Sequence, residues 1–106
     1  AYGFFGYSYY LANKDKIKAA AINGVKPSLE GIQDYSYPIA RPLFFYAKKA
    51  HVGVVPGLKE FLDAFTSKKA MGSRGYLTDI GLVPLASDKY KVTRTAAKDL
   101  VTINLK

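Results

Sequence analysis

The sequence predicts a mixed α/β or α+β domain, and three observations carry that prediction. Residues 58–65 place Leu58, Phe61, Leu62 and Phe65 at i, i+3, i+4 and i+7, with Lys59, Glu60 and Asp63 on the opposite side, the spacing of an amphipathic helix. Residues 43–47, LFFYA, are apolar on both alternating faces, as a strand covered on both sides requires. Short helical stretches mix with such apolar runs along 106 residues, a length that holds one domain.

Each element follows from its residues in chain order. Residues 1–10, AYGFFGYSYY, set Gly3 and Gly6 among aromatics, which predicts an extended segment kinked at its glycines. Ser8 is a candidate N-cap for a short helix over 9–13, ended by Asn13 and the charged stretch 14–18. Residues 17–22 read as a brief strand entering the turn dipeptide Asn23-Gly24. Ser28, after Pro27, caps a helix over 29–33 whose Glu30 lies in the first turn, where the macrodipole favours a carboxylate. Pro38 and Pro42 lack the N–H that a central ladder position needs, so they confine the approach to 43–47 to a strand entry or edge. Pro56 stands where the first helical residue belongs, and the helix it opens ends near 67–71 before the breakers Gly72 and Gly75. Residues 76–81 predict one further turn. Residues 87–100 predict a C-terminal helix, with Tyr90, Ala97, Leu100 and Val101 available for burial.

Composition excludes several function classes. The absence of cysteine removes disulfide scaffolds, zinc ribbons and thiol chemistry, and the single histidine, His51, removes a multi-histidine metal site. No Gly-x-Ser-x-Gly elbow accompanies His51, and the eight carboxylates are spread singly, so neither a nucleophilic triad nor a paired-carboxylate site can be named. The sequence points to no enzyme and no cofactor. The loop MGSRG, 71–75, combines a hydroxyl, a guanidinium and two glycines but lacks the Lys-Ser/Thr of a phosphate-binding P-loop, and reads as an anion nest or as a helix-ending loop. A net charge of +8 raises nucleic acid as a partner. Against it stand only three arginines and tyrosines that sit inside apolar runs, with the lysines outside them, which is the distribution of a core and a solvated surface. No stretch approaches the roughly 20 apolar residues that span a bilayer. Ala1 has no initiating Met and no signal-peptide pattern before it, so it reads as a processed N-terminus or as a cut within a larger protein. Five aromatics in the first nine residues and a double-faced strand at 43–47 exceed the cover that the chain's own helices offer, and the rest of that cover is expected from elsewhere.

The ordered set YGFFGYSYY (2–10), YPIARPLFFY (37–46), KKAHV (48–52), PGLKEF (56–61), GYL (75–77) and GLVPL (81–85) resembles the C-terminal part of the phosphate-binding proteins of ABC transporters, the PstS family. The resemblance implies an α/β chain forming part of one lobe of a two-lobed, type II periplasmic-binding-protein-like fold, a mixed sheet flanked by helices. Residues 1–7 would be the strand crossing the hinge and 8–106 the C-terminal part of the first lobe, with the preceding portion of the same protein supplying the remainder. It further implies capture of inorganic phosphate between the lobes, delivery to an ABC permease, and a periplasmic or cell-envelope location. Gly3, Gly6, Tyr7, Ser8 and Tyr37 fall near the hinge and cleft by this analogy. The family's ligands come mainly from regions upstream of this segment, and no Ser-Gly-Thr or Ser-Gly-Ser loop is present, so no residue is assignable as a phosphate ligand. Arg41, inside a matching motif, is either a cleft-lining cation or half of a salt bridge that pins the strand entry. The competing expectation is a small secreted or cell-surface interaction protein that binds another polypeptide through a tyrosine-rich face.

Overall fold

The computed structural model of the chain describes residues 1–104; the last two residues of the 8–106 lobe assignment lie outside them. Six helices follow in order: α1 (Tyr7–Ala12), α2 (Leu29–Gln33), α3 (Leu58–Phe65), α4 (Lys68–Met71), α5 (Tyr76–Asp79) and α6 (Ser87–Lys98), with a 3₁₀ turn at Lys49–His51.

Local chemistry explains most boundaries. The Ser28 hydroxyl accepts from the Gly31 N–H at 3.0 Å, so α2 begins and ends where its cap and its Glu30 place it. Ser67 plays the same part for α4, accepting from the Ala70 N–H at 3.4 Å. Two starts differ from expectation. The α1 helix opens at Tyr7, with Gly6 as its N-cap and no side-chain cap, because the Tyr10 N–H already bonds the Gly6 carbonyl at 3.1 Å; Ser8 lies inside the helix and caps nothing. Pro56 is not the first residue of α3 either. The Val55 N–H folds back on the His51 carbonyl at 2.8 Å, and the turn that results delivers the chain to Gly57 at φ +81°, a left-handed cap that glycine adopts freely. The α6 helix stops at Lys98 rather than at residue 100, since Leu100 takes φ +52° and the Val101 N–H bonds the Ala96 carbonyl at 3.0 Å in a Schellman-type closure.

No strand ladder forms among the described residues. The two β-bridges, Ile22 with Val25 and Val52 with Val55, close tight turns. Residues 1–5, 18–21 and 41–47, which contain most of the expected strands, make no backbone hydrogen bond to any described residue. A strand exists only through its partner, so these segments stand as unpaired edges, and the expected mixed sheet finds no ladder among the described residues.

Packing is concentrated at one end. Leu62 of α3, Ala70 of α4, Ala40 and Thr66 are buried; α3 packs on both α4 and α6, and α4 packs on α5. Phe45 leans on α3, its ring 5.7 Å from Phe61 and 4.9 Å from Phe65. Around it, Leu43, Phe44 and Tyr46 are exposed, as are Tyr2, Phe4 and Val101. The radius of gyration is 16.3 Å, against about 13 Å for a compact domain of this length. The chain has a nucleus and a large uncovered apolar surface.

Candidate functional site

The uncovered surface lines a single trough. Its walls are the N-terminal segment and α1, residues 39–47, the 81–85 connection and the inner side of α6, and its volume is about 2230 Å³. Ligand pockets run at about 300–1,000 Å³, so this is an open interior rather than a closed pocket.

The residues that the resemblance sets near the hinge and cleft, Gly3, Gly6, Tyr7, Ser8, Tyr37 and Arg41, all line that trough, whereas His51 and residues 72–75 of the MGSRG loop do not. Their roles within it differ. Gly3 sits beneath the Phe5 ring, where a β-carbon would strike the ring edge, and Phe5 in turn stacks on Tyr9 at 5.1 Å. Ser8 is the point at which α1 meets the connection to α6. Gly81 holds φ +99°, and a β-carbon there would collide with the Ser8 Cβ, so two parts of the chain far apart in sequence touch only because residue 81 is glycine. The half-buried Tyr7 faces Tyr10 at 6.1 Å; burial first, and Tyr10 second, raise its phenol above the usual tyrosine value. The Tyr37 N–H bonds the Gly31 carbonyl at 2.9 Å and the Tyr37 carbonyl accepts from Ala40, which turns the chain from α2 into residues 41–47.

Arg41 forms no salt bridge with any described residue. Its Nη1 donates to the carbonyls of Pro38 at 3.0 Å and Ala40 at 2.7 Å, so the guanidinium folds back on its own chain and stiffens the entry to the extended segment through carbonyls instead of through a carboxylate. The positive charge remains at the trough wall.

A clamp escaped the sequence reading. Arg94 of α6 donates to the Asp63 carbonyl, to the Thr66 hydroxyl at 2.7 Å and to the Asp63 carboxylate at 2.8 Å, while the Tyr90 hydroxyl donates to the Thr66 carbonyl at 2.9 Å. Together they satisfy the carbonyls of Asp63 and of the C-cap Thr66, two of the acceptors that a helix end leaves orphaned, while Thr66 and Ser67 bond those of Leu62 and Ala64. The available signal was the i, i+4 spacing of Tyr90 and Arg94 on one face of α6. At the other wall, Gln33 donates to the Pro84 carbonyl at 2.8 Å and the Lys89 ammonium lies 4.2 Å above the Tyr35 ring. These contacts position the trough without filling it. Among the described residues no three His, Asp or Glu side chains gather as a metal-ligand set, and no helix is long and apolar enough to cross a membrane.

Comparison with known proteins converges on one family. The sequence model of the PBP superfamily domain matches residues 5–69. Protein SphX of Synechococcus elongatus is 38% identical over 99 residues, covering 83% of this chain and 26% of its own length. The phosphate-binding protein PstS of Staphylococcus aureus strain USA300 is 31% identical over 109 residues, covering 98% of this chain and 32% of its own, and that of Staphylococcus saprophyticus is 28% identical over 104 residues, covering 93% and 31%. The chain therefore spans about a third or less of the length of these relatives. No solved structure matches it.

Proposed function

The chain belongs to the PBP superfamily, with phosphate-binding proteins among its relatives, and from that premise we propose that it serves a substrate-binding protein that captures inorganic phosphate between two lobes and passes it to a membrane permease outside the cytoplasm. In this reading residues 1–7 cross the hinge and the rest builds the C-terminal part of the first lobe. No chemical step is involved; the work is desolvation of an anion by many convergent donors.

The observation that carries the reading is the similarity to PstS proteins along 93–98% of the chain. The trough supports it physically. An aromatic, strand-edged surface of this size costs free energy while it faces water, and it is suited to the interior of a lobe once paired segments lie over it. Gly3, Gly6, Tyr7, Ser8 and Tyr37 then stand at the crossover and Arg41 at the rim, where its charge attracts phosphate while donors from elsewhere complete the coordination shell. The +8 net charge adds a long-range pull on an anion.

Thermal unfolding tests the reading. A protein of the relatives' length that carries this sequence should be protected by phosphate, by about 2.7 kcal/mol when phosphate reaches 100 times its dissociation constant. No protection at millimolar phosphate would remove the assignment.

A further inference from the structure

We propose that the hollow between α4 and α6 is a docking site for an acidic polypeptide segment, which inserts a carboxylate side chain between Lys68, Lys91 and Arg94. The hollow has a volume of about 390 Å³ and is lined by Lys68, Tyr90, Lys91, Arg94 and Thr95. It is separate from the trough, with which it shares none of these residues.

Three features point to that occupant. The first is uncompensated charge. Arg94 with Asp63 is the one ion pair among the described residues, and Asp63 does not line the hollow; Lys68 and Lys91, which do line it, have no carboxylate partner among the described residues. Like charges held together raise the local potential and favour an anionic partner. The second is rigidity. Arg94 is held by the three bonds of the α3 clamp and Tyr90 by its bond to the Thr66 carbonyl, so the wall and floor are already ordered and a partner loses little by their immobilisation. The third is shape. The lysines reach in from two helices, one on α4 and one on α6, around a recess of ligand-pocket size, which suits an inserted side chain flanked by further acids rather than a flat lipid surface.

Fluorescence anisotropy with a labelled oligoglutamate peptide, at about 50 mM salt, reads this site. The chain should bind the peptide, and Lys68→Gln/Lys91→Gln should weaken binding about five- to ten-fold, as expected for two exposed ion pairs. The charge-matched Lys48→Gln/Lys59→Gln, at exposed positions away from both cavities, should change it less than two-fold. Failure to bind, or equal weakening by both double variants, would overturn the proposal, since the second result assigns the attraction to the overall +8 field. So would stronger binding to phosphatidylglycerol vesicles or to single-stranded DNA than to the peptide, with the same dependence on Lys68 and Lys91.

Discussion

Replacing Arg94 by methionine keeps a long apolar stem on α6 and removes the three bonds that Arg94 makes to the end of α3, leaving that of Tyr90 in place. Two of the lost bonds run to neutral acceptors, the Asp63 carbonyl and the Thr66 hydroxyl, and contribute about 1 kcal/mol each. The third is the ion pair, whose Asp63 side chain is 60% exposed against 22% for Arg94, so solvent screening limits it to about 0.5 kcal/mol. The sum is about 2–3 kcal/mol of local stability. Amide hydrogen exchange is the suitable assay, because it reports local opening and needs no global two-state transition. At tenfold per 1.4 kcal/mol, the amides at the C-terminal end of α3 and in the middle of α6 should exchange about 30- to 150-fold faster in Arg94→Met. Asp63→Asn keeps the carbonyl and loses only the ion pair, so it should accelerate exchange about two- to three-fold. Equal effects of the two variants would refute the reasoning, because they would assign the clamp to the ion pair alone; less than three-fold acceleration in Arg94→Met would refute the clamp itself.

Three further outcomes follow from the geometry. Gly81→Ala adds a β-carbon against Ser8 at φ +99°, costing about 1–2 kcal/mol for the backbone and about 1–3 for overpacking, so its urea midpoint should fall well below that of the parent chain; an unchanged midpoint would show that α1 does not pack there. Because the Tyr7 pKa is raised in the folded state above its ordinary value of 10.0, its contribution to stability is complete below pH 10 and is lost as the pH rises through the folded value. Spectrophotometric titration should therefore lose a late-ionising phenol in Tyr7→Phe; loss of an ordinary phenol with a midpoint at 10 would contradict this. In the isolated chain the amides of residues 43–47 should exchange near free-peptide rates while those of α3 are protected, and protection of 43–47 would mean that the segment finds a ladder partner.

What could be read from the residues was what their neighbours in sequence decide. The α2 helix needed only Ser28 and Glu30 and has the expected bounds; the spacing of Leu58, Phe61, Leu62 and Phe65 marked α3, but the helix starts at Leu58 rather than at Pro56 and stops at Phe65 rather than near 67–71, where Ser67 caps the separate α4. Interactions across the chain were less legible. The clamp joins Asp63 to Arg94 across 31 residues, and the i, i+4 spacing of Tyr90 and Arg94 marks one side of it without naming its partner. Gly81 looked like a turn glycine, and its second duty, making room for Ser8, depends on a contact 73 positions away. The strands are the instructive case. The apolar character of 1–5 and 43–47 is real, but strand formation depends on a partner that the described residues do not provide. Arg41 shows the same boundary: its bonds to two carbonyls rather than to a carboxylate depend on how the Pro38–Pro42 entry folds, which the motif around it does not declare. That all six site residues share the trough is a matter of placement, and their action on phosphate is a matter for binding measurements.

The central claim is that this chain contributes to a phosphate site it does not complete, and paired calorimetric titrations test it most directly. Phosphate injected into a protein of the relatives' length that carries this sequence should give a saturable isotherm with one site per molecule, while the same injections into the 106-residue chain should give only heats of dilution. A micromolar isotherm for the chain alone, or none for the longer protein, would contradict the account.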